Sequence, residues 1–160
     1  KGLTNAAVPM GAVAVRNGVY DTVVDGVAGG IEFFHGYTYS GHPLAAAAAI
    51  ATMQLHQSED LPGRARAIEP YWQDAMHSMR DAPNVIDIRD IGLIGGIELA
   101  PRPGKPGARA MDVFRRCFDA GVLVRVTGDI VALSPPLIVE KPHVDRIVGT
   151  LTDAIRAEAA

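Results

Sequence analysis

A glycine turn separates two apolar runs in the stretch Val85-Ile86-Asp87-Ile88-Arg89-Asp90-Ile91-Gly92-Leu93-Ile94-Gly95-Gly96-Ile97-Glu98-Leu99. Runs of this kind are typical of two strands joined as a hairpin. Apolar residues repeat with helical spacing before and after it. The other predicted elements of this half are helices at 62–80, at 108–120 and from about 143, and strands at 122–126 and 130–133. From residue 61 the order is therefore α-β-β-α-β-β-α, an α+β layer with helices on one face of a sheet.

The first 58 residues do not form such a unit. Their patterns predict a buried strand at 8–15, a helix at 17–27, a loop, and an alanine-rich helix that begins at Pro43. One strand and two helices cannot bury both faces of the strand. We therefore expect residues 1–58 to be the end of a larger domain.

The composition excludes several classes of protein. The 160 residues are 48% hydrophobic and 21% charged, which is typical of a soluble globular chain. A net charge of −3 gives no signature of nucleic-acid binding, and the apolar run at 43–53 is shorter than the ~20 residues of a membrane crossing. The single cysteine, Cys117, excludes an internal disulfide, favours a cytoplasmic location, and lies on an apolar helical stripe typical of a core.

Two motifs carry a family resemblance: Lys1-Gly2-Leu3-Thr4-Asn5 with Val8-Pro9-Met10-Gly11-Ala12-Val13, and His35-Gly36-Tyr37-Thr38-Tyr39-Ser40-Gly41-His42-Pro43. They resemble the cofactor-lysine segment and the phosphate-contacting loop of class III aminotransferases, which are pyridoxal-phosphate enzymes of fold type I. Within that class the sequence is most similar to the ω-amino acid–pyruvate aminotransferases, including β-alanine–pyruvate transaminases. The resemblance implies that the chain is the C-terminal portion of such an enzyme, starting at the cofactor lysine. Residues 1–58 would end the large cofactor-binding domain and its connecting helix, and 59–160 would form the small C-terminal α+β domain.

Lys1 is the first candidate site residue. The resemblance implies that its amine binds pyridoxal 5'-phosphate covalently, is released by the incoming amino donor, and then moves a proton as a base. Burial favours the uncharged amine that both roles need, so we expect this amine to lie in a dry pocket. Without the flanking motif, the same residue would be interpreted as a solvated lysine at a chain terminus.

Thr38 is the second candidate. A hydroxyl in a glycine-containing turn can donate to a phosphate oxygen, together with nearby backbone amides. The resemblance implies that Thr38 contacts the cofactor phosphate of the neighbouring subunit, which predicts a homodimer with a shared site and leaves a tetramer open. The alternative is a turn threonine that bonds its own backbone.

Arg125 is the third candidate. It follows an apolar run and precedes Thr127-Gly128-Asp129. A planar guanidinium there could bind a substrate carboxylate in a bidentate pair, and the resemblance implies this role, with the side chain moving aside for donors that lack a carboxylate. The alternative is an arginine paired with Asp129 or with a surface acid.

Other residues give weaker signals. His35 and His42 have no third ligand nearby in the sequence, so we expect no metal site. Gly95-Gly96 inside a strand indicates a close backbone approach to an unidentified neighbour. Ser134-Pro135-Pro136 is similar to a family segment that follows the arginine strand, and we expect it to shape the rim of the pocket.

The implied activity is transfer of an amino group from an ω-amino acid such as β-alanine, or from a primary amine, through pyridoxal phosphate to pyruvate, giving L-alanine. In the family, the acid that pairs with the pyridine nitrogen, the Gly/Ser phosphate turn and the ring-stacking aromatic precede the lysine. Residues 1–160 without the N-terminal remainder are therefore expected to be inactive. An ornithine-type transaminase, an aminomutase and a non-catalytic α+β binding module remain open as alternatives.

Overall fold

The computed structural model describes residues 1–27, 29–31, 33 and 36–158. They form two compact units: unit 1, Lys1–Glu59, and unit 2, which begins at Asp60. No helix within these described ranges combines the length and apolar character of a membrane span. The assignment of residues 1–58 and 59–160 to two domains of a larger enzyme remains a prediction.

Unit 1 contains a short 3-10 helix, Gly2–Thr4, followed by α1, Asn17–Asp25, and α2, Pro43–Ser58. Pro43 occupies the first turn of α2, where its missing amide costs nothing. The 3-10 helix packs against α2. Ala45 and Ala49 are buried, one turn apart on the same helix face, and their small side chains permit close approach of another backbone.

The buried strand predicted at 8–15 is wrong. Residues 9–16 have no regular secondary structure, and Val13 is 88% exposed. The apolar pattern cannot form a strand by itself, because a strand needs neighbours for its backbone hydrogen bonds. All strands of the described residues lie in unit 2.

Unit 2 has the predicted order α-β-β-α-β-β-α. Its elements are α3, Leu61–His77; β1, Val85–Ile91; β2, Ile94–Leu99; α4, Ala108–Asp119; β3, Arg125–Thr127; β4, Ile130–Leu133; and α5, Lys141–Ala157. The sheet is antiparallel throughout with the order β1-β2-β4-β3, so β3 is an edge strand.

The strand predicted at 122–126 begins later than expected, at Arg125. The preceding residues terminate α4 instead. Gly121 adopts a positive φ of 79°, and the Val122 amide donates to the Cys117 carbonyl at 2.8 Å, which closes the helix end. Val122 and Val124 are nevertheless buried, so their apolar character reflects packing rather than strand pairing.

The core lies between one face of the sheet and the helices. Ile97, Leu99 and Val131 point into it and are fully buried, and the predicted apolar stripes of α3, α4 and α5 supply most of the rest. Gly95 explains the expected close approach: a β-carbon there would lie 2.4 Å from Cε of Met76 and 3.6 Å from Cζ2 of Trp72. The neighbour that comes close is therefore helix α3.

Candidate active site

Lys1 immediately precedes the 3-10 helix of unit 1, and its backbone is fixed by local contacts. Its carbonyl accepts hydrogen bonds from the amides of Thr4, at 3.3 Å, and Ala6, at 2.8 Å. Thr4 is buried, and its hydroxyl donates to the Val8 carbonyl. These contacts hold the segment that carries Lys1 in one compact turn.

The Lys1 side chain itself is exposed, so the expected dry pocket around its amine is not present in the described residues. A single 3-10 turn against α2 offers too few side chains to enclose an amine. The backbone next to it is unusual, since Asn5 and Ala6 both have positive φ, 49° and 60°. Ala6 has no glycine-like freedom, and such strained residues cluster at functional sites. No sequence pattern predicted this backbone conformation.

Thr38 lies in a turn in which the Ser40 amide donates to the Tyr37 carbonyl at 2.8 Å. Gly41 follows with a positive φ of 69°. Thr38 is exposed, and its hydroxyl makes no hydrogen bond to any described residue. The alternative of a threonine bonded to its own backbone is therefore not what the structure shows. His35, at the start of this motif, lies outside the described residues.

Arg125 is the first residue of β3 and is exposed. Its guanidinium has neither an ion pair nor a hydrogen bond among the described residues. The Asp129 carboxylate, the alternative partner, accepts from the Gly107 amide at 2.8 Å instead. Arg125 is thus a cation without an internal counter-charge.

Arg125 lines a cavity of about 980 Å³ in unit 2. The wall is mainly apolar, and no carboxylate of the described residues contributes to it. Its members include Met111 and Phe114 of α4, Leu123, Ile138, and the predicted rim residues Ser134 and Pro135. A guanidinium beside an apolar wall suits a small carboxylate that carries an apolar substituent.

Met111 and Phe114 were not recognised as cavity residues from the sequence. Phe114 lies on the same apolar stripe of α4 as Cys117, but the 3.6-residue period shows only that a face avoids water. It does not show whether that face meets another side chain or an open space. The neighbouring Phe118 stacks on Phe114 with ring centroids 6.2 Å apart and remains exposed.

Cys117 is buried on the same helix, and burial raises the pKa of its thiol to about 11. A thiol in this state carries almost no thiolate at neutral pH, so it does not act as a nucleophile. Its predicted place in the core is confirmed. Among the described residues, no three His, Cys, Asp or Glu side chains gather as metal ligands.

The chain belongs to the class-III aminotransferase family: the profile of aminotransferase class-III matches residues 1–155. It is 62% identical to an omega-aminotransferase of Caulobacter vibrioides over 151 residues, which are 94% of this chain and 34% of that protein. It is 35% identical to the beta-alanine–pyruvate aminotransferase of Pseudomonas aeruginosa, covering 99% of this chain and 36% of that protein. The chain therefore spans about a third of the length of these relatives.

Solved structures agree with the family. An (S)-enantioselective omega-transaminase from Thermomicrobium roseum matches with a TM-score of 0.89 at 26% identity, over 100% of this chain and 36% of that one. The mixed helix and sheet is that of a fold type I transaminase, as the motifs implied. Enzymes of this class depend on pyridoxal 5'-phosphate.

The donor groups of unit 1 fit the chemistry of that cofactor. The Lys1 side chain is a primary amine, the one common side-chain group that condenses with an aldehyde. The turn at Thr38 offers an unengaged hydroxyl of the kind that phosphate oxygens accept from. Lys1 and Thr38 belong to unit 1, whereas Arg125 belongs to unit 2.

Proposed function

We propose that these residues are the C-terminal portion of an ω-amino acid–pyruvate aminotransferase. The enzyme takes an amino group from an ω-amino acid such as β-alanine, or from a primary amine, and passes it to pyruvate, giving L-alanine. The observation that carries the proposal is that Arg125 has no ion pair among the described residues and lines a mainly apolar cavity to which none of their carboxylates contributes. The similarity to an omega-aminotransferase and a beta-alanine–pyruvate aminotransferase supports the choice within the family.

Lys1 is the residue that holds the cofactor, through Nζ. Pyridoxal phosphate, when bound, supplies an electron sink that stabilises negative charge on the amino-bearing carbon of the substrate. Once released, the neutral Lys1 amine takes the proton from that carbon. This requires a water-poor site, which we propose is completed by parts of the enzyme beyond these residues. The fixed backbone of the Lys1 turn supports a role that demands exact placement of one side chain.

Thr38 binds the cofactor phosphate through its hydroxyl. In this proposal the phosphate belongs to the neighbouring subunit, so the enzyme is a homodimer, with a tetramer as a further possibility. The exposed, unengaged hydroxyl supports a contact outside this chain. A reducing cytoplasm is the proposed compartment, in keeping with a single buried thiol.

Arg125 binds the carboxylate of pyruvate and of the ω-amino acid. A bidentate pair fixes the orientation of the acceptor as well as adding affinity. Because no ion pair with a described residue holds the guanidinium in one position, it is also free to move when the donor carries no carboxylate. The same cavity can then accept an apolar substituent.

A panel of donors and acceptors tests the function with the full-length enzyme. β-Alanine and a carboxylate-free primary amine should both be donors with pyruvate, and L-alanine should accumulate in step with donor loss. Ornithine with 2-oxoglutarate should be much poorer. Preference for that pair would indicate an ornithine-type transaminase, and absence of transfer with every pair would favour a non-catalytic module.

A further inference from the structure

Asp129, in the turn between β3 and β4, makes hydrogen bonds to two other elements. The Asp129 carboxylate accepts from the Gly107 amide at 2.8 Å, and the Asp129 carbonyl accepts from the Leu99 amide at 2.9 Å. Gly107 is the residue immediately before α4, and Leu99 ends β2. Asp129 therefore connects the turn to the start of α4 and to the end of β2.

The edge strand that carries Arg125 has few other contacts with the sheet. β3 is only three residues long and pairs with β4 alone, with Arg125 opposite Ala132 and Thr127 opposite Ile130. A short edge strand has few hydrogen bonds of its own, so its position depends in part on what holds the adjoining turn. The position of a β-carbon on Gly107 lies 3.4 Å from the Gly128 carbonyl oxygen, which shows how closely the two loops meet.

The Asp129 carboxylate is hydrogen-bonded to Gly107 and not to Arg125. Asp129 is the acid nearest to Arg125 in the sequence. Among the described residues Arg125 has no ion pair, with Asp129 or with any other acid. The hydrogen bond thus holds the turn of the hairpin without neutralising the cation.

We propose that Asp129 is a positioning residue that acts through Arg125: it holds the β3–β4 hairpin so that the guanidinium is presented to a substrate carboxylate. The inference rests on the proposed role of Arg125. It concerns carboxylate-bearing substrates only, because a donor without a carboxylate does not use Arg125.

The test uses the full-length enzyme loaded with cofactor. Asp129→Ala should raise the KM for pyruvate about fivefold or more, which corresponds to the loss of one partly buried hydrogen bond. The kcat and the half-reaction with a carboxylate-free amine should change by less than about twofold. Asp129→Asn should restore the KM, since its amide oxygen still accepts from Gly107. Should the alanine variant not fold, Asp129→Glu displaces the carboxylate by one methylene and should raise the KM in the same way.

Glu69→Ala is the matched control. Glu69 holds the turn between β1 and β2 by the same type of hydrogen bond, since its Oε1 accepts from the Gly92 amide at 3.1 Å. The β1–β2 hairpin does not carry Arg125. Glu69→Ala should therefore lower thermal stability without altering the KM for pyruvate, which separates positioning from general loosening of the fold.

A double-mutant cycle distinguishes the possible failures. In an Arg125→Ala background, Asp129→Ala should add no further rise in the KM for pyruvate. A full additional effect there, an equal loss with the carboxylate-free donor, or failure of asparagine to rescue would each overturn the positioning role while leaving the proposed function in place. Normal pyruvate kinetics of Arg125→Ala alone would instead remove the proposed carboxylate site, and this inference with it.

Discussion

The Cε atom of Met76 lies 2.4 Å from the position that a β-carbon on Gly95 would occupy. Met76 is fully buried and Gly95 belongs to β2, so helix α3 rests directly on the backbone of the sheet at this point. The absence of a side chain at Gly95 sets the distance between the two layers of unit 2. This layer spacing also supports the cavity wall, to which Trp72 of α3 contributes.

Gly95→Ala should destabilise the protein by roughly 1–2 kcal/mol, because Met76 must move within a packed core to make room for the methyl group. Gly96→Ala is the matched control: its β-carbon would meet nothing closer than 3.6 Å, so its effect should be small or slightly stabilising. Denaturant unfolding of both variants measures the difference. Equal effects would show that the α3 contact does not limit this site.

Arg125→Ala should reduce kcat/KM for pyruvate by about 10- to 100-fold, the range expected for loss of charge-assisted hydrogen bonds. Reaction with a carboxylate-free amine in the first half-reaction should be nearly unchanged. Arg156→Ala is the control, since Arg156 is also exposed and has no partner among the described residues. A similar loss of kcat/KM for pyruvate and of the half-reaction with the carboxylate-free amine would count against a carboxylate-binding role.

The stability of unit 2 should depend on pH through Asp112. The Arg102 guanidinium donates to this carboxylate at 2.6 Å, and this hydrogen bond holds the pKa of Asp112 below its ordinary value of 3.8. A carboxyl with a lowered folded-state pKa adds stability above its ordinary pKa, and this contribution is lost as the pH falls through the folded value. The relevant window therefore lies in acid, below about pH 4.

Asp112→Asn should therefore reduce the fall in the free energy of unfolding below about pH 4. Near neutral pH the pH dependence of this free energy should change little. The effect should be modest because both partners are partly exposed. Asp119→Asn is the control, because Asp119 is also on α4 but is exposed and has no side-chain partner in the part of the chain that the structure describes. Urea midpoints between about pH 6 and about pH 3 make the comparison. If the free energy of unfolding of Asp112→Asn falls with pH in acid as steeply as that of the unsubstituted protein, the prediction is wrong.

The helices of unit 2 could be predicted because the apolar residues of each recur with helical spacing. Trp72, Met76 and Met79 occupy one stripe of a helical pattern and are all buried in the structure. The strand predicted at 8–15 was wrong for a different reason. Apolar residues favour burial, but a strand also needs partner strands, and the described residues of unit 1 supply none.

The contacts of the candidate site were less predictable. The hydrogen bond from Gly107 to Asp129 joins two loops that are 22 residues apart, and no periodic pattern predicts a loop–loop contact. The sequence therefore left the pairing of Arg125 with Asp129 open. The exposure of Lys1 was also missed, because the motif identifies a residue type and not the residues that enclose it.

Borohydride reduction of the cofactor-loaded full-length enzyme tests whether Lys1 is the residue that carries the cofactor. Peptide mass spectrometry should find the pyridoxyl group on Nζ of Lys1, and Lys1→Ala should lose the visible absorbance of the bound cofactor while Lys105→Ala keeps it. A label on Lys105 or Lys141, or an unchanged spectrum in Lys1→Ala, would rule out Lys1 as the cofactor lysine.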